Sequence, residues 1–329
     1  MSKEIDAIIT WVDGMDPIHQ AKRDSFKSET VQKTINTSKG ITRFMNNGEL
    51  EYCLRSLSKN APWLRKIFIV TDKQFPSFLP DEILSNKKIH IVDHKTIFKD
   101  YEENLPTFNS ISIESMIHRI PGLSERYLYL NDDFVILRPV SIEDFFINDK
   151  VFLRGSWKRI QKYGPTRLKV SQILNFGLSR VFGINRSMSL LQQMKAAELA
   201  GFERQYLKSP HCPHPQIKNT ILEYYDSHPD VLKSNIKYRF RNLSQHVAIF
   251  LSNHLEIAVN NAVVVSDEDC LMICFNRDRS WLIDRKISRI ADVSSNLKFL
   301  CIQSFEEASD DQKKSLLTAL RVRGVAVSP

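Results

Sequence analysis

The chain is predicted to fold as an α/β protein with a mainly parallel sheet covered by helices on both faces. Three observations predict it. Short continuous apolar runs recur through the first half of the 329 residues, each bounded by turn residues, as strands buried on both faces are. Stretches with helical apolar periodicity separate them. Three of the runs end in carboxylates, at Asp13, Asp72 and Asp132–Asp133. In a parallel sheet those ends share one edge, where ligand crevices form.

Taken in order, Asp6 to Val12 reads as a buried strand, closed by the turn cluster Asp13-Gly14-Met15-Asp16-Pro17. Lys27 to Thr42 is polar and aperiodic and reads as a mobile loop. Asn47 to Asn60 fits a helix with Leu50, Leu54 and Leu57 on one face and a Glu51–Arg55 pair one turn apart, stopped by Pro62. Lys66 to Asp72 and Lys88 to Val92 follow as strands. Asn109 to Ile120 reads as a helix with Ile113, Met116, Ile117 and Ile120 inward, capped by Asn109 or Ser110, and Arg126 to Asn131 as the next strand.

After Pro139 the alternation weakens. Val151 to Gly155 reads as a strand, while Ser187 to Ala200, Gln216 to Tyr225 and Ser244 to Asn260 read as helices. Pro210 to Pro215 reads as a rigid loop and the basic Lys162 to Arg186 as an insertion. The expected division is an α/β core over residues 1–155, a helical insertion over 156–210, and a C-terminal part over 211–329.

Hydrophobic content of 42% and charged content of 26% are ordinary for a soluble globular chain. A net charge of +8 points to an anionic partner. Five scattered cysteines, Cys53, Cys212, Cys270, Cys274 and Cys301, read as reduced thiols. Met1 to Glu4 leads straight into a strand, which predicts no signal peptide. The most apolar later stretch, Val247 to Val265, is broken by Asn253, His254 and Glu256 and does not read as a membrane span. A cytoplasmic location is expected, with peripheral attachment at the inner face of the membrane left open. No Walker loop, GxGxxG, GxSxG or HExxH occurs, which removes several enzyme classes.

The segment Tyr127-Leu128-Tyr129-Leu130-Asn131-Asp132-Asp133 carries the sharpest chemical signal: a buried strand ending in two hard-oxygen carboxylates, suited to Mg²⁺ or Mn²⁺ carrying a phosphate. If the strand continues, the two aspartates point to opposite faces. Glu114 borders the apolar stripe of its helix with His118 one turn on, so it is either a ligand or an intrahelical partner of His118. His211-Cys212-Pro213-His214-Pro215 lacks the second pair that a structural zinc needs. A histidine fixed in that loop suits general acid/base work, a surface or core histidine being the competing reading. In Tyr238-Arg239-Phe240-Arg241 an extended backbone puts both arginines on one face, fit to bind a diphosphate. RNA stacking and a solvated basic strand are the other readings.

These residues line up with a family. Asp6-Ala7-Ile8-Ile9-Thr10-Trp11-Val12-Asp13-Gly14-Met15-Asp16-Pro17 resembles the first block of the Stealth proteins. Arg43 through Asn47-Gly48-Glu49-Leu50, Leu54-Arg55-Ser56, Ala61-Pro62-Trp63-Leu64, Thr107-Phe108-Asn109-Ser110, Ile113-Glu114 and Tyr129-Leu130-Asn131-Asp132-Asp133 resembles the second. Pro213-His214 resembles the third and Arg239-Phe240-Arg241 the fourth. The resemblance implies a nucleotide-sugar fold related to GT-A glycosyltransferases and a divalent metal, Mg²⁺ or Mn²⁺. It implies transfer of a sugar-1-phosphate, of hexose or N-acetylhexosamine type, from a UDP-sugar to a glycan hydroxyl with release of UMP, in capsular or other surface polysaccharide synthesis.

The resemblance also implies the site. Asp132, Asp133, His214 and Arg241 would be catalytic, and Asp132, Asp133 and Glu114 the metal ligands. Trp11, Asp13, Gly14, Arg43, Glu49, Arg55, Asn109 and Arg239 would bind substrate. Departures are Gln245-His246 where the family often has an acidic pair, a loose match at Phe275-Asn276 and Gln303 to Glu306, and an early end. The expected partners are a UDP-sugar donor and a glycan acceptor, with no nucleic acid. Association with a membrane-bound capsule assembly complex and homo-oligomerisation stay open. The rival readings are a metal-dependent glycosyltransferase releasing UDP and a non-catalytic basic binding module.

Overall fold

A computed structural model describes residues 4–27, 48–160 and 188–326. Its centre is a five-stranded sheet in the order β10 (His214–Ile217), β4 (Arg126–Asn131), β1 (Ile5–Thr10), β2 (Ile67–Thr71), β3 (Ile89–Asp93). The four N-terminal strands are parallel and only β10 runs antiparallel, against β4. The mainly parallel α/β reading therefore holds.

The period of two sorts the side chains between two cores. Ile5, Ala7, Ile9, Ile67, Ile69, Leu128 and Leu130 pack with Leu50, Leu54 and Leu57 of α2 (Glu49–Asn60) on one face. Ile8, Phe68, Val70, Tyr127 and Tyr129 pack on the other. That second face meets α5 (Ser110–Glu114), α7 (Lys218–Ser227), α8 (Pro229–Ile236) and α9 (Ala248–Ala258). Each fully buried Ile or Leu contributes roughly 1.5–3 kcal/mol relative to an exposed one. These interleaved rows fix register: a one-residue slip would turn every such side chain to the wrong face.

The C-terminal part adds a second sheet that the sequence reading did not include, β12 (Cys270–Cys274), β13 (Phe299–Gln303) and β5 (Phe134–Ile136). Helices α10 (Ser280–Ala291) and α11 (Asp310–Val322) cover it through Ile283, Ile287, Ile290, Leu316 and Leu320. Because β5 begins two residues after β4 ends, the chain passes between the sheets at Asp132–Asp133. A third, small sheet joins β6 (Phe146–Ile147), β7 (Lys150–Arg154) and β11 (Ala262–Val265).

Of residues 156–210, those described form an antiparallel ribbon, β8 (Ser156–Arg159) with β9 (Gln205–Lys208), and helix α6 (Met188–Leu199). Gly155 lets the ribbon close: a Cβ there would lie 2.6 Å from the Lys208 carbonyl oxygen. The basic stretch 162–186 and most of the 27–42 loop lie outside the described residues.

Three local expectations are corrected. The helix read over 109–120 is α5 followed by a separate 3-10 turn at Ile117–Arg119. The Ser115 hydroxyl donates back to the Ile111 carbonyl at 2.9 Å, a side-chain competition that disfavours continuation. His214 and Pro215 lie in strand β10 and not in a loop. Proline is tolerated there because β10 is the sheet edge. Residues 238–241 form no strand, so Arg239 and Arg241 do not share a face by alternation.

Among the described residues no helix is long and apolar enough to cross a membrane. All five cysteines are free thiols.

Candidate active site

β4 stops at Asn131, and Asp132 and Asp133 form a two-residue turn before β5. The opposite-faces argument does not apply, because the strand has already ended. Asp133 Oδ2 accepts from the Cys301 thiol at 3.4 Å, and its carbonyl accepts from Ile302 N at 3.0 Å. Asp133 Oδ1 is buried with no hydrogen-bond partner among the described residues. Glu49 joins this corner from the first turn of α2, which Gly48 starts with a φ of 85°.

The corner is frustrated. Burial, then Asp133, then Glu49 push the Asp132 carboxyl well above the usual range. Burial and Glu49 lift Asp133 to about 7, against the hydrogen bond from Cys301. Both aspartates keep some solvent-accessible surface, so the corner is crowded and poorly hydrated but not sealed. Converging like charges with an unpartnered oxygen fit a hard divalent cation, which would reverse both shifts. Among the described residues no group of three or more His, Cys, Asp or Glu side chains is disposed to hold a metal. The fit is therefore to an ion held by one or two carboxylates and completed by water and phosphate oxygens, as Mg²⁺ commonly is.

Glu114, the third metal ligand expected, has its interactions elsewhere. It sits with Arg241, Ser110 and Tyr129 instead. Burial lifts its carboxyl to about 7 against the Arg241 charge and hydrogen bonds from Ser110 and Tyr129. Arg241 Nη2 donates to Ser110 Oγ at 2.5 Å. The Tyr129 hydroxyl lies 3.0 Å from Thr10 Oγ1 and 2.9 Å from Asn131 Oδ1, tying this group to the end of β4. Nor is Glu114 the partner of His118, which packs against Tyr225 with ring centroids 5.9 Å apart.

His214 pairs with Tyr129 across the β10–β4 register. Its ring meets Phe134 and Phe250 edge-on, at 6.3 and 5.4 Å. Burial, with a smaller effect of His211, lowers its pKa to about 3, so the imidazole is neutral with a lone pair to accept a proton. His211, weighed in the sequence only as part of a zinc motif, lies 6.3 Å from the Phe134 ring. Burial, then Arg277, Arg241 and Lys208, lower its pKa to about 4. Arg277 was also missed; its position just after the apolar run Cys270–Cys274 is the same strand-end signal that drew notice to Asp13 and Asp72.

The remaining candidates divide. Trp11 is core-packed, its ring 5.6 Å from Phe78, and its buried Nε1 has no acceptor among the described residues. Asp13 is locked to the loop after β2: its N–H donates to Gln74 Oε1 and its carbonyl accepts from Gln74 Nε2, both at 2.8 Å. Gly14 comes next in the same turn, buried.

Asn109 is fully buried, caps α5 and spends its amide on Tyr238 O and Gln245 Oε1. Arg239 donates to Pro106 O at 2.7 Å and stacks over Phe26. Arg55 pairs with Glu51 and Glu82, each at 2.7 Å. The structure gives each of these three residues positioning or stabilising contacts within the chain. Arg43 lies outside the described residues. Gln245 and His246 are buried in hydrogen bonds to Asn109, Asn235 and Tyr225.

Family comparison decides the lineage. Residues 3–30 match Stealth protein conserved region 1 and residues 43–153 match conserved region 2. The receptor polysaccharide phosphotransferase WefC of Streptococcus oralis is 32% identical over 273 residues, 78% of each chain. This chain belongs to the Stealth family. The capsular polysaccharide phosphotransferase WcwK of Streptococcus pneumoniae is 28% identical over 94% of this Stealth chain and 93% of its own.

The exopolysaccharide phosphotransferase SCO2592 of Streptomyces coelicolor is 37% identical over 219 residues, and there the match spans only 21% of the relative's length. Among solved structures, the galactosyltransferase LgtC with donor and acceptor sugar analogs aligns over 98% of this chain at a TM-score of 0.42 and 7% identity. A likeness of that size carries no argument about chemistry.

Proposed function

We propose that this Stealth protein transfers a sugar-1-phosphate from a UDP-sugar to a glycan hydroxyl, releasing UMP, in the synthesis of a capsular or other cell-surface polysaccharide. One observation carries the reading. At the carboxyl edge of the parallel sheet, carboxylates crowded enough to call for a cation lead directly into Phe134, whose ring packs against two neutral histidines, His211 and His214, and Arg241 acts on the first of these. Relatives named polysaccharide phosphotransferases support it.

In the proposed reaction the acceptor hydroxyl oxygen attacks the phosphorus bonded to the sugar. The bond from that phosphorus to the bridging oxygen breaks, and UMP leaves with the electron pair. His214 takes the hydroxyl proton. Its buried ring resists charge, and a diphosphate placed beside it would raise its proton affinity. Arg241, held by Ser110, would supply its guanidinium charge to the phosphate oxygens. Asp132 and Asp133, with Glu49 nearby, would hold Mg²⁺ or Mn²⁺. The ion would neutralise diphosphate charge and ease departure of UMP.

A panel of UDP-sugars labelled with ³²P at the sugar-bearing phosphate, incubated with acceptor glycan and Mg²⁺, tests this. The reading expects label in the glycan and unlabelled UMP in solution. Label retained in released UDP would identify a glycosyl transfer and overturn it.

A further inference from the structure

Asp133 is gripped twice by β13, the middle strand of its sheet. Its carbonyl accepts from Ile302 N at 3.0 Å, and its Oδ2 accepts from the Cys301 thiol at 3.4 Å. Consecutive strand residues point to opposite faces. Ile302 enters the core under α10 and α11, and Cys301 enters the other core with Phe134 and Phe299. Cys301 has no room to shift. It is fully buried, with Met272 of β12 and Phe134 of β5 as its register partners on either side. Its thiol is a fixed point beside a two-residue turn.

The kind of donor matters. A thiol is a weak donor on an atom that packs as a small hydrophobe, so it sits in an apolar core more readily than a hydroxyl or an ammonium. A strong donor would satisfy the carboxylate, as Lys22 does at Asp72. The Cys301 thiol engages one oxygen weakly and thereby fixes the direction of the other. That other oxygen, Oδ1, is buried with no hydrogen-bond partner among the described residues. Metal-binding carboxylates are characteristically oriented in this way, by a hydrogen bond to a group that does not itself touch the ion.

We propose that Cys301 is a positioning residue for a divalent cation at Asp133: its thiol holds Oδ2 so that Oδ1 is presented to the ion. The proposal rests on the metal site read above and is independent of which bond of the sugar donor breaks.

The test is titration of the full chain with Mn²⁺, followed by the electron paramagnetic resonance signal of the free ion. Mn²⁺ takes the same hard oxygen ligands as Mg²⁺. Cys301→Ala, which removes the donor, is expected to weaken Mn²⁺ binding about tenfold. Cys301→Val, which removes the donor and refills the space with a residue suited to a strand, carries the same expectation. Cys301→Ser keeps a donor on a shorter bond and should recover part of the loss. Cys274→Ala controls for truncating a buried thiol in the same sheet. That thiol lies 3.1 Å from Asn276 Oδ1, and its loss should leave Mn²⁺ affinity unchanged.

Parental affinity in Cys301→Ala and Cys301→Val overturns the proposal, as does a parent that binds no Mn²⁺. Binding as weak in Cys301→Ser as in Cys301→Ala, or an equal loss in Cys274→Ala, would show that packing and not the donor matters, and would overturn it too. Mn²⁺ binding that depends on Cys301, in a protein that releases UDP in place of UMP, would sink the proposed function and leave this proposal standing. UMP release with Mn²⁺ affinity unchanged in Cys301→Ala would do the reverse.

Discussion

Two strands of the same sheet end in aspartate, and the protein treats them in opposite ways. After β2, Asp72 is fully provided for. Burial alone would raise its pKa, but hydrogen bonds from His19 and Lys22, with the His94 field behind them, carry it well below the usual carboxylate range. Lys22 Nζ reaches it at 2.5 Å. After β4, Asp132 and Asp133 have each other and Glu49 for neighbours, and their pKa values go up. The position in the fold is equivalent; the company differs. A carboxylate surrounded by cations is a structural part, whereas one left with like charges and an empty hydrogen-bond position waits for a ligand.

Substitutions should break the comparison most sharply at the β4 end. Asp133→Asn and His214→Ala are each expected to cut turnover by about 10²–10⁴-fold. Both should leave circular dichroism and cooperative melting intact. Residual turnover within about tenfold of the parent in both would mean that the chemistry lies elsewhere.

At the β2 end the expected sign is reversed. Asp72→Asn should destabilise by about 1–3 kcal/mol in denaturant titration, since it removes charge-assisted bonds from a largely buried group. Turnover per folded molecule should change less than about threefold. A lost activity with unchanged stability would move Asp72 into the site.

The pH dependence of stability separates the two ends more finely. Asp72, depressed when folded, contributes stability above its unfolded pKa near 3.8, and that contribution is lost as pH falls through the folded value. Asp133 and Glu114, raised to about 7, bind more protons folded than unfolded between pH ~4 and ~7. Their contribution therefore declines as pH rises through that window. In the metal-free protein, Asp133→Asn should flatten the decline, and Asp72→Asn should not. The smallest effect is expected at Arg55→Ala: up to about 1 kcal/mol of stability from its surface pairs and turnover within about twofold.

The four parallel strands were legible because each is a continuous apolar run of strand length, and the acidic ends were legible as departures from those runs. What defeated sequence reasoning was competition and distance. Ser115 back-bonding interrupted a helix whose apolar spacing looked whole. Pro213 and Pro215 suggested a loop, yet a sheet edge accepts proline, and His214 became a strand residue beside Tyr129.

The neighbours of Glu114 were equally out of reach of the sequence. Only the folded chain shows it joined to Arg241, which lies 127 positions further along the sequence. The sheet of β12, β13 and β5 had signals of its own, in Cys270–Cys274, Phe299–Gln303 and the capping box Ser309–Gln312. No periodicity could say that its middle strand would meet Asp133 through Cys301.

The contrast between a satisfied and an unsatisfied carboxylate end is tested most directly by melting the parent, Asp133→Asn and Asp72→Asn at pH 8, each with and without millimolar Mg²⁺. The account predicts that Mg²⁺ raises the melting temperature of the parent and of Asp72→Asn and leaves Asp133→Asn unmoved. It also predicts that metal-free Asp133→Asn melts above the metal-free parent, because one buried like charge is gone. An equal rise in all three proteins, or a metal-free Asp133→Asn that melts well below the parent, would contradict it.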